Sequence, residues 1–475
     1  MVALGYAFSI GYGVLCLLLA FLLSLRGVDN RITRKLVHIF VGFEWVILYR
    51  FHGASYHFLI VCLAFLAFLA IAYRKNMLRM ISSEGKNAPG TVYYALSMSI
   101  MALISLFEPR FILPFGVAVF ITSFGDGFAG IFGQFVKKHN PKIYKEKTLI
   151  GTLANLLAST LVAFAFMEIY PEMRLSPLAC LTIGLVAAGV ELICDLGLDN
   201  IALPLSVSVL TYLFSTYDGV VSYLLPITLT PYIIAFVLQK RALTRGGLIA
   251  ALLLDIAVAV ALGNFGFLLL ILFFMLGVAT DRIKKKQTDD KEEKGACRDA
   301  AQVLANGLVP ILAAVLYFIF GVRAFLLAFI ASLAEALGDT AASSLGSYSR
   351  TTVDVFKFRK CERGMSGGVS LVGTLAAAVF SAIIPLVSFA IGWISPLEVF
   401  LLTAVAFLGV FFDSFLGSLL QAKYRCMVCM VSTEKPEHCG KPTELVSGVR
   451  VVHNDTVNAF STLFTSIIAF VLFTV

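Results

Sequence analysis

Three observations on the amino-acid sequence predict an all-α protein, a polytopic transmembrane helical bundle. Apolar residues make up 59% of the 475 residues and charged residues only 14%, and the mean hydropathy is +0.91. A water-soluble core of this size would need a more strongly charged surface. The apolar residues also fall into many stretches of roughly 17 to 25, each long enough to cross a hydrocarbon core of about 30 Å.

Apolar length divides the chain into about 15 to 16 membrane spans. The first stretch is too long for the apolar region of a signal peptide, so we interpret it as a span. The predicted spans lie near residues 3–25, 36–51, 57–73, 91–107, 111–136, 150–170, 177–195, 201–217, 219–239, 247–263, 265–282, 301–320, 324–346, 367–391, 397–420 and 456–474.

Lysine and arginine are distributed unevenly between alternate loops. If the N-terminus lies outside, the cytosolic loops hold 33 of the 37 Lys and Arg residues, and the remainder are Arg50, Arg110, Arg174 and Arg323. This asymmetry follows the positive-inside rule and predicts a multi-pass integral membrane protein with these loops in the cytosol, in the cell membrane if the organism is a prokaryote. Topology thus explains the net charge of +8, and we expect no nucleic-acid partner.

One sequence pattern occurs twice in the chain. Residues 125–133 and 338–346 both fit Gly-Asp-x-x-Ala-x-x-x-Gly, and each is followed by a basic loop and then by Gly-Thr-Leu-Ala. Each half also has an acid in a later apolar stretch and an Asn/Asp pair at the start of its last span. The shared order indicates a tandem duplication, with domains at 1–217 and 218–475; chance similarity of two apolar halves is the alternative.

The acid of the first copy, Asp126, lies inside an apolar span. An ionised Asp there is costly unless it is paired, binds a metal or lines a wet cavity. We expect Asp126 to act through Mg²⁺ bound to phosphate oxygens; a structural acid that packs or hydrogen-bonds is the alternative. Gly125 and Gly127 beside it favour close approach of a nucleotide or, equally, tight helix packing.

The loop after each copy of the pattern combines cations, small residues and a helix N-terminus. Free backbone N–H groups and the helix dipole favour anions, so both segments predict a phosphate cradle. Its candidate residues are Lys147, Gly151 and Thr152 in the first half, and Arg363, Ser366, Gly367 and Gly368 in the second. The alternative is that the loop cations only enforce topology.

Two cations and a histidine, Arg34, Lys35 and His38, head the second span. A His at this depth serves as the base for a lipid hydroxyl, or it orients a phosphate. Packing at the membrane interface is an equally good explanation. The second half has no obvious equivalent of this segment, which suggests that the two halves differ in acceptor.

A cysteine cluster lies in the last cytosolic loop. The sequence Cys426-x-x-Cys429, followed by His438 and Cys439, offers three thiolates and an imidazole to a structural Zn²⁺. Adjacent His and Cys are an uncommon ligand spacing, so a group of reduced cysteines without metal is the alternative. The other cysteines are scattered singly through apolar stretches, which argues against a disulfide scaffold.

The first half resembles the CTP-dependent polyprenol kinase family, which includes dolichol kinase and phytol kinase. The resemblance depends on Arg34-Lys35-x-x-His38, Gly125-Asp126-x-x-Ala129-x-x-x-Gly133, Lys147-Thr148 with Gly151-Thr152, and Asp199-Asn200 with Pro204. The second half contains the motifs Arg298-x-x-x-Gln302-Val303-x-Ala305-Asn306-Gly307, Gly338-Asp339-Thr340-x-Ala342-Ser343, Gly364-x-Ser366-Gly367-Gly368-Val369-Ser370, Asp413-Ser414-x-x-Gly417 and Asn454-Asp455-x-Val457-Asn458. With these motifs it resembles a membrane family that contains plant phytyl-phosphate kinase.

These resemblances imply two successive phosphorylations of an isoprenoid alcohol, phytol-like or a polyprenol, first to the monophosphate and then to the diphosphate. They imply CTP or another nucleoside triphosphate as donor and Mg²⁺ as cofactor. The implied catalytic residues are His38, Asp126, Lys147, Asp339 and Arg363. The implied Mg²⁺ ligands are Asp126, Asp199, Asp339, Asp413 and Asp455. Nucleotide or phosphate binding is implied for Arg34, Lys35, Gly125, Gly127, Gly151, Thr152, Asn200, Asn306, Ser366, Gly367, Gly368, Asn454 and Asn458.

Two other functions use similar ingredients. A cytidylyltransferase that makes a CDP-activated lipid would release pyrophosphate instead of CDP. A transporter also combines repeats, intramembrane acids and glycine-broken helices. Against transport, both Gly-Asp helices are predicted to run in the same direction, and the polar elements converge on cytosolic loops rather than on the bilayer midplane.

Overall fold

A computed structural model describes residues 1–75, 89–136, 140–283, 297–361 and 365–474 of the chain. These residues are mostly helical, which confirms the predicted all-α class. They form two compact units, Met1–Gln239 and Lys240–Val475. The assignment of one activity to residues 1–217 and another to 218–475 stays a prediction.

The described part of unit 1 consists of helices joined by short turns and one small β-hairpin. The hairpin pairs β1 (Lys142–Tyr144) with β2 (Lys147–Thr148) in antiparallel register. The helices are α1 (Val2–Leu25), α2 (Asn30–Val41), α3 (Glu44–His52), α4 (Tyr56–Arg74), α5 (Gly90–Phe107), α6 (Ile112–Ile121), α7 (Gly127–Phe135), α8 (Leu149–Ile169), α9 (Pro177–Ile193), α10 (Asp199–Thr216) and α11 (Leu224–Lys240).

Unit 2 adds helices and seven short strands in its described residues. The helices are α12 (Arg245–Ile283), α13 (Ala300–Phe320), α14 (Arg323–Gly346), α15 (Leu371–Ala390), α16 (Pro396–Leu419) and α17 (Asn454–Leu472). Strands β3 (Val353–Asp354) and β4 (Gly368–Val369) pair with each other. The loop between α16 and α17 contains β5 (Lys423–Arg425), β6 (Ser432–Thr433), β7 (Glu437–His438), β8 (Lys441–Pro442) and β9 (Glu444–Ser447).

Twelve helical stretches of the described chain are long and apolar enough to cross a membrane. The predicted span 36–51 is instead two short helices, α2 and α3, separated at Gly42 and Phe43. Gly42 lies against Ser123, where a Cβ would be 2.5 Å from Oγ, so the break accommodates a close approach to the neighbouring helix. Helix α12 bends at Gly263 (φ 61°), between the predicted spans 247–263 and 265–282.

The two helices that carry the Gly-Asp pattern lie at the centre of their units. In the stretch Pro109–Phe135 and in α14, 83% of the apolar window is buried inside the protein, against at most 50% in the other ten candidate spans. Small residues let neighbouring helices approach α14 closely, because much of its buried surface is alanine and serine. Each unit therefore surrounds one acid-bearing helix with its other helices.

The same local packing occurs in both units. Gly151 opens α8 beside the first Gly-Asp helix, and its Cβ position lies 2.9 Å from Ala129 O and 3.6 Å from Gly133 Cα. Gly373 opens α15 beside the second, with the corresponding distances 3.1 Å to Ala342 O and 3.5 Å to Gly346 Cα. Both following helices, α9 and α16, begin with Ser-Pro-Leu, and the Ser side chain caps the helix. This agreement extends the similarity seen in the sequence pattern.

Candidate active sites

In unit 1 the site is centred on Asp126 and Lys35. Asp126 ends the π-helical turn Thr122–Asp126 between α6 and α7, a distortion that is frequent at functional sites. Its two carboxylate oxygens accept hydrogen bonds from Lys35 Nζ at 2.6 and 2.7 Å. The side chain of Asp126 is 8% exposed and that of Lys35 is 20% exposed. Because little water reaches either group, each charge is stabilised mainly by the other.

A cavity of about 550 Å³ adjoins this ion pair. Most of its wall is apolar and comes from α1, α2, α4 and α5, including Ile10, Phe65 and Met98. Its polar wall includes five of the residues implied by the resemblance, which are Arg34, Lys35, His38, Asp126 and Asn200. A cavity of this size with one polar region suits a ligand that has a long apolar tail and a polar head.

His38 is half-buried, and its ring contacts an aromatic side chain. It packs edge-on against Tyr94 with ring centroids 4.9 Å apart. Its Nε2 atom has no hydrogen-bond partner among the described residues. An imidazole nitrogen in a cavity wall without a protein partner is available to a hydroxyl group of a bound molecule.

Asp199 and Asn200 lie at the start of α10, as the sequence predicts. Asn200 Nδ2 donates to Asp199 Oδ1 at 3.1 Å, and the backbone oxygen of Asn200 accepts from Ser97 Oγ at 3.1 Å. A Cβ at Gly90 would lie 3.0 Å from Asn200 Nδ2 and 3.2 Å from Arg34, so these two side chains meet at the same place. Asp199 is also within electrostatic range of Asp126 and Lys147.

Lys147 lies beside the site but already has a protein partner. Its ammonium group forms an ion pair with the buried carboxylate of Glu191, a contact that sequence analysis did not identify. Although burial disfavours its charge, the carboxylates of Glu191, Asp126 and Asp199 raise the pKa of Lys147 above its usual value. Lys147 is therefore held protonated. The neighbouring Lys145 pairs with Asp195 in a more exposed position.

The N-terminus of α8 has no unused N–H group in its first three residues. Leu149 N donates to Pro141 O at 3.0 Å, Ile150 N donates to Asn140 Oδ1 at 3.0 Å, and Gly151 N donates to Thr148 Oγ1 at 3.3 Å. Thr152 offers a buried hydroxyl without a partner in the described chain. A phosphate at this end would thus rely on side chains such as Lys147 rather than on the helix amides predicted to hold it.

The glycines around Asp126 are occupied by protein packing. A Cβ at Gly125 would lie 2.6 Å from Ser159 Oγ, and one at Gly127 would lie 2.7 Å from the side chain of Ile39. Of the two uses predicted for these glycines, tight helix packing is the one that the structure displays. Their contact with a nucleotide stays a prediction.

In unit 2 a polar cavity of about 190 Å³ brings together most of the predicted residues of the second half. Four carboxylates line it, those of Asp339, Asp413, Glu434 and Asp455. The described lining residues include no Lys or Arg. Ser366, Gly367, Gly368 and Asn454 complete the predicted set in the wall. Clustered carboxylates with hydroxyl groups nearby are oxygen ligands of the kind that Mg²⁺ prefers.

The turn Ser366–Gly368 is held by two charged residues of the α16–α17 loop. Ser366 N donates to Glu434 Oε1 at 2.7 Å, and Lys423 Nζ donates to Ser366 O at 2.8 Å. Gly368 N donates to Met365 O at 3.2 Å. A phosphate would therefore compete with Glu434 for this turn. Sequence analysis missed Glu434 and Lys423, because nothing local to either residue indicates a contact more than fifty positions away.

Gly367 is the residue of this turn that tolerates substitution least. Its φ of +82° and a Cβ position 2.5 Å from the backbone of Ser418 leave no room for a side chain. We expect Gly367→Ala to destabilise unit 2 by about 1–3 kcal/mol, measured as a lower Tm. Gly368→Ala is the matched control. Its two nearest contacts are the Thr352 methyl group at 2.7 Å and Cys361 Sγ at 3.0 Å, which can shift, and its nearest backbone atom is Met365 O at 3.1 Å rather than 2.5 Å. Equal Tm values for the two variants would contradict the expectation.

Two further predicted residues, Asn306 and Asn458, have defined positions, and one does not. The Asn458 amide is 3.3 Å from Asn306 Oδ1 in one orientation, and in the other it donates to Asp413 Oδ2 at 3.3 Å. Asn306 and Asn458 thus support the acidic cavity, although neither is in its wall. Arg363 lies outside the described residues.

The four predicted zinc ligands come together in the α16–α17 loop. One ligand atom from each of Cys426, Cys429, His438 and Cys439 lies within 4.8 Å of all the others. No other group of three or more His, Cys, Asp or Glu residues in the described ranges meets this criterion.

Comparison with known families identifies the chain as a membrane protein. The family described as integral membrane protein DUF92 matches residues 228–466, which is about half of the chain. The chain belongs to this family. No solved structure matches the chain.

Several relatives of this DUF92 protein are similar to it over most of their own length. An uncharacterised membrane protein of Methanocaldococcus jannaschii is 32% identical over 194 residues, 40% of this chain and 80% of the relative. Phytol kinase of Synechocystis is 29% identical over 191 residues, 38% of this chain and 78% of the relative. Protein VTE6 of Arabidopsis thaliana, chloroplastic, is 26% identical over 250 residues, 51% of this chain and 68% of the relative.

Proposed function

We propose that this chain is a membrane phosphotransferase that phosphorylates a prenyl alcohol twice. Unit 1 makes the monophosphate, and unit 2 converts it to the diphosphate, with CTP or another nucleoside triphosphate as donor and Mg²⁺ as cofactor. A relative named phytol kinase supports the class of reaction.

The observation that carries this proposal is the unit 1 cavity. Its apolar wall matches a prenyl chain, and its polar wall holds a half-buried histidine, two cations and an acid where the alcohol head would lie. An acceptor that stays in the bilayer reaches this cavity through the membrane, which explains why the site lies among spans rather than in a soluble domain. A nucleotide alone would not require such an apolar wall.

The residues of unit 1 divide the reaction between them. His38 accepts the proton of the prenyl hydroxyl through its unpaired Nε2, and the hydroxyl oxygen attacks the terminal phosphorus of the donor. The bond from that phosphorus to the bridging oxygen breaks, and the nucleoside diphosphate leaves with that oxygen. Arg34, Lys35 and Lys147 offset the negative charge that builds on the phosphoryl group.

Magnesium fits the two sites differently. In unit 1 Lys35 contacts both oxygens of Asp126, so a metal on Asp126 and Asp199 requires Lys35 to turn towards phosphate. In unit 2 Asp339, Asp413 and Asp455 line one cavity whose described wall has no Lys or Arg, so no cationic side chain there competes with a divalent cation. Their carboxylates must move closer together before three of them can hold one ion. When bound, Mg²⁺ would offset the negative charge of the donor phosphates and of the single phosphate of the prenyl monophosphate.

The test uses the purified full chain in detergent with Mg²⁺, phytol or farnesol, and CTP labelled either in its terminal phosphate or in its cytidine. We expect labelled prenyl monophosphate and diphosphate from the first label only, with CDP released. Label from cytidine in the lipid together with pyrophosphate would instead identify a CDP-lipid synthesis. Absence of labelled lipid with any nucleotide or chain length would overturn the proposal and favour transport.

The cavity itself is tested by a matched pair of substitutions on α4. Ala64 lines the cavity, whereas Ala67 lies one turn further along α4, exposed and outside it. We expect Ala64→Trp to reduce monophosphate formation by about tenfold or more, because the indole takes space that the prenyl chain needs. Ala67→Trp should retain activity. Equal activities would show that the prenyl chain lies elsewhere.

A further inference from the structure

The α16–α17 loop is a small module with little apolar core of its own. It runs from residue 420 to 453 and contains five strands of two to four residues. Its buried apolar residues include Ala422, Tyr424 and Cys426, whereas Met427, Val428, Met430, Val446 and Val451 are exposed. Modules of fewer than about 40 residues usually need a metal, a disulfide or a partner to hold their structure.

The cysteines and histidine of this module are arranged as metal ligands. His438 Nδ1 lies 3.4 Å from Cys429 Sγ and 3.2 Å from Cys439 Sγ. Tetrahedral Zn²⁺ with Zn–S bonds of about 2.3 Å places its ligand atoms about 3.8 Å apart, so one ion fits among these atoms with small adjustments. The cysteines are free thiols in the structure.

The backbone around the ligands is shaped to present them. Val428 N points at Cys426 Sγ, 3.4 Å away, a contact that supports a thiolate. Cys439 and Gly440 form the two-residue turn between β7 and β8, and their φ values are 53° and 70°. A hairpin turn with two positive φ values normally takes Asn-Gly or Asp-Gly. A cysteine kept in this strained conformation indicates that its sulfur has a role there.

The same module forms hydrogen bonds to Ser366 in the wall of the unit 2 cavity. Cys426 directly follows β5, which begins at Lys423, and Glu434 directly follows β6. Glu434 and Lys423 make the contacts to Ser366 N and Ser366 O described above. Gln421 Nε2 in turn donates to Glu434 Oε2 at 2.9 Å. The position of the turn Ser366–Gly368 thus depends on the hairpin that the candidate ligands close.

We propose that Cys426, Cys429, His438 and Cys439 bind one structural Zn²⁺, and that this ion fixes the module that positions the Ser366–Gly368 turn. Metal loading then controls the shape of the unit 2 cavity, whichever reaction the cavity performs. Three thiolates and one imidazole would fill all four coordination positions of the ion, so none remains for a substrate. Such a filled set of protein ligands is typical of a structural rather than a catalytic zinc site.

Metal content tests the site. Full-length protein without an affinity tag is purified in detergent, and its zinc content is measured by inductively coupled plasma mass spectrometry. We expect about one zinc per chain in the wild type and about tenfold less in Cys429→Ser. Cys297→Ser is the control, because Cys297 is exposed and outside the cluster, and it should bind as much zinc as the wild type. Equal zinc in all three proteins, or none in the wild type after purification with added zinc, would overturn the site.

Two measurements on the wild type keep the proposal testable if Cys429→Ser fails to fold. Replacement of the metal by Co²⁺ should give the absorption band of thiolate-to-cobalt charge transfer, and its absence would contradict thiolate ligation. Removal of the metal with a chelator should speed hydrogen exchange in residues 420–453 and in the peptide that contains Ser366. Faster exchange in the module but not at Ser366 would overturn the link to the cavity. Neither measurement uses enzyme activity, so each is independent of the proposed function.

Discussion

Asp126→Asn is expected to abolish formation of prenyl monophosphate from the alcohol, with a loss of about 100-fold or more. The substitution keeps the shape of the side chain but removes the charge that pairs with Lys35 and that a metal would need. Radiolabelled product from prenyl alcohol measures the loss. Addition of prenyl monophosphate should restore diphosphate formation in the same variant, because unit 2 is intact.

Asp195→Asn is the matched control for this prediction. Asp195 is also an acid of unit 1 with a lysine partner, but its pair with Lys145 is about half exposed, and such pairs contribute little. We expect nearly normal monophosphate formation. A large loss in Asp195→Asn, or failure of Asp126→Asn to use added prenyl monophosphate, would argue against a separate first site at Asp126.

Asp339→Asn is expected to give the opposite pattern, in which monophosphate accumulates and diphosphate falls by about 100-fold or more. Asp339 lies in the wall of the unit 2 cavity with Asp413 and Asp455. Two negatively charged phosphates must meet there, so loss of one metal ligand weakens the cation that offsets their repulsion. The ratio of the two lipid products over time is the measurement.

Two controls separate this effect from a general loss of folding. Asp255→Asn alters another intramembrane acid of unit 2 that does not line the cavity, and it should leave the product ratio unchanged. A mixture of Asp126→Asn and Asp339→Asn proteins in the same micelles should make diphosphate again from the alcohol, since each supplies the step that the other lacks. Equal loss of both products in each variant, without recovery in the mixture, would contradict the two-site assignment.

Local signals in the sequence were sufficient for the helical membrane fold and to single out Asp126, Asp339, Asp413 and Asp455, but not Glu434, as acids to examine. Span length and hydropathy depend only on neighbouring residues, and helices α1, α4 and α13 begin and end within a few residues of their predicted spans. The repeated Gly-Asp pattern identified the helices that lie at the centre of both units. The break between α2 and α3 was missed because it depends on contact with Ser123 on another helix. The repeated Ser-Pro-Leu at the start of α9 and α16 was readable as further evidence of duplication.

The sequence by itself determined that this protein is a bundle of membrane helices with acids inside them. Long apolar segments cross the bilayer, and an ionised acid within one needs a cation, a metal or water to offset its charge. Only the tertiary structure decided which charges meet. Lys35 pairs with Asp126 across 91 positions, Lys147 pairs with Glu191 across 44, and Glu434 holds Ser366 across 68. Such partners are chosen by the packing of whole helices and loops, which brings distant residues into one low-dielectric site where each charge must be compensated. The sequence of a single segment therefore does not predict which distant residue its charged side chains will pair with.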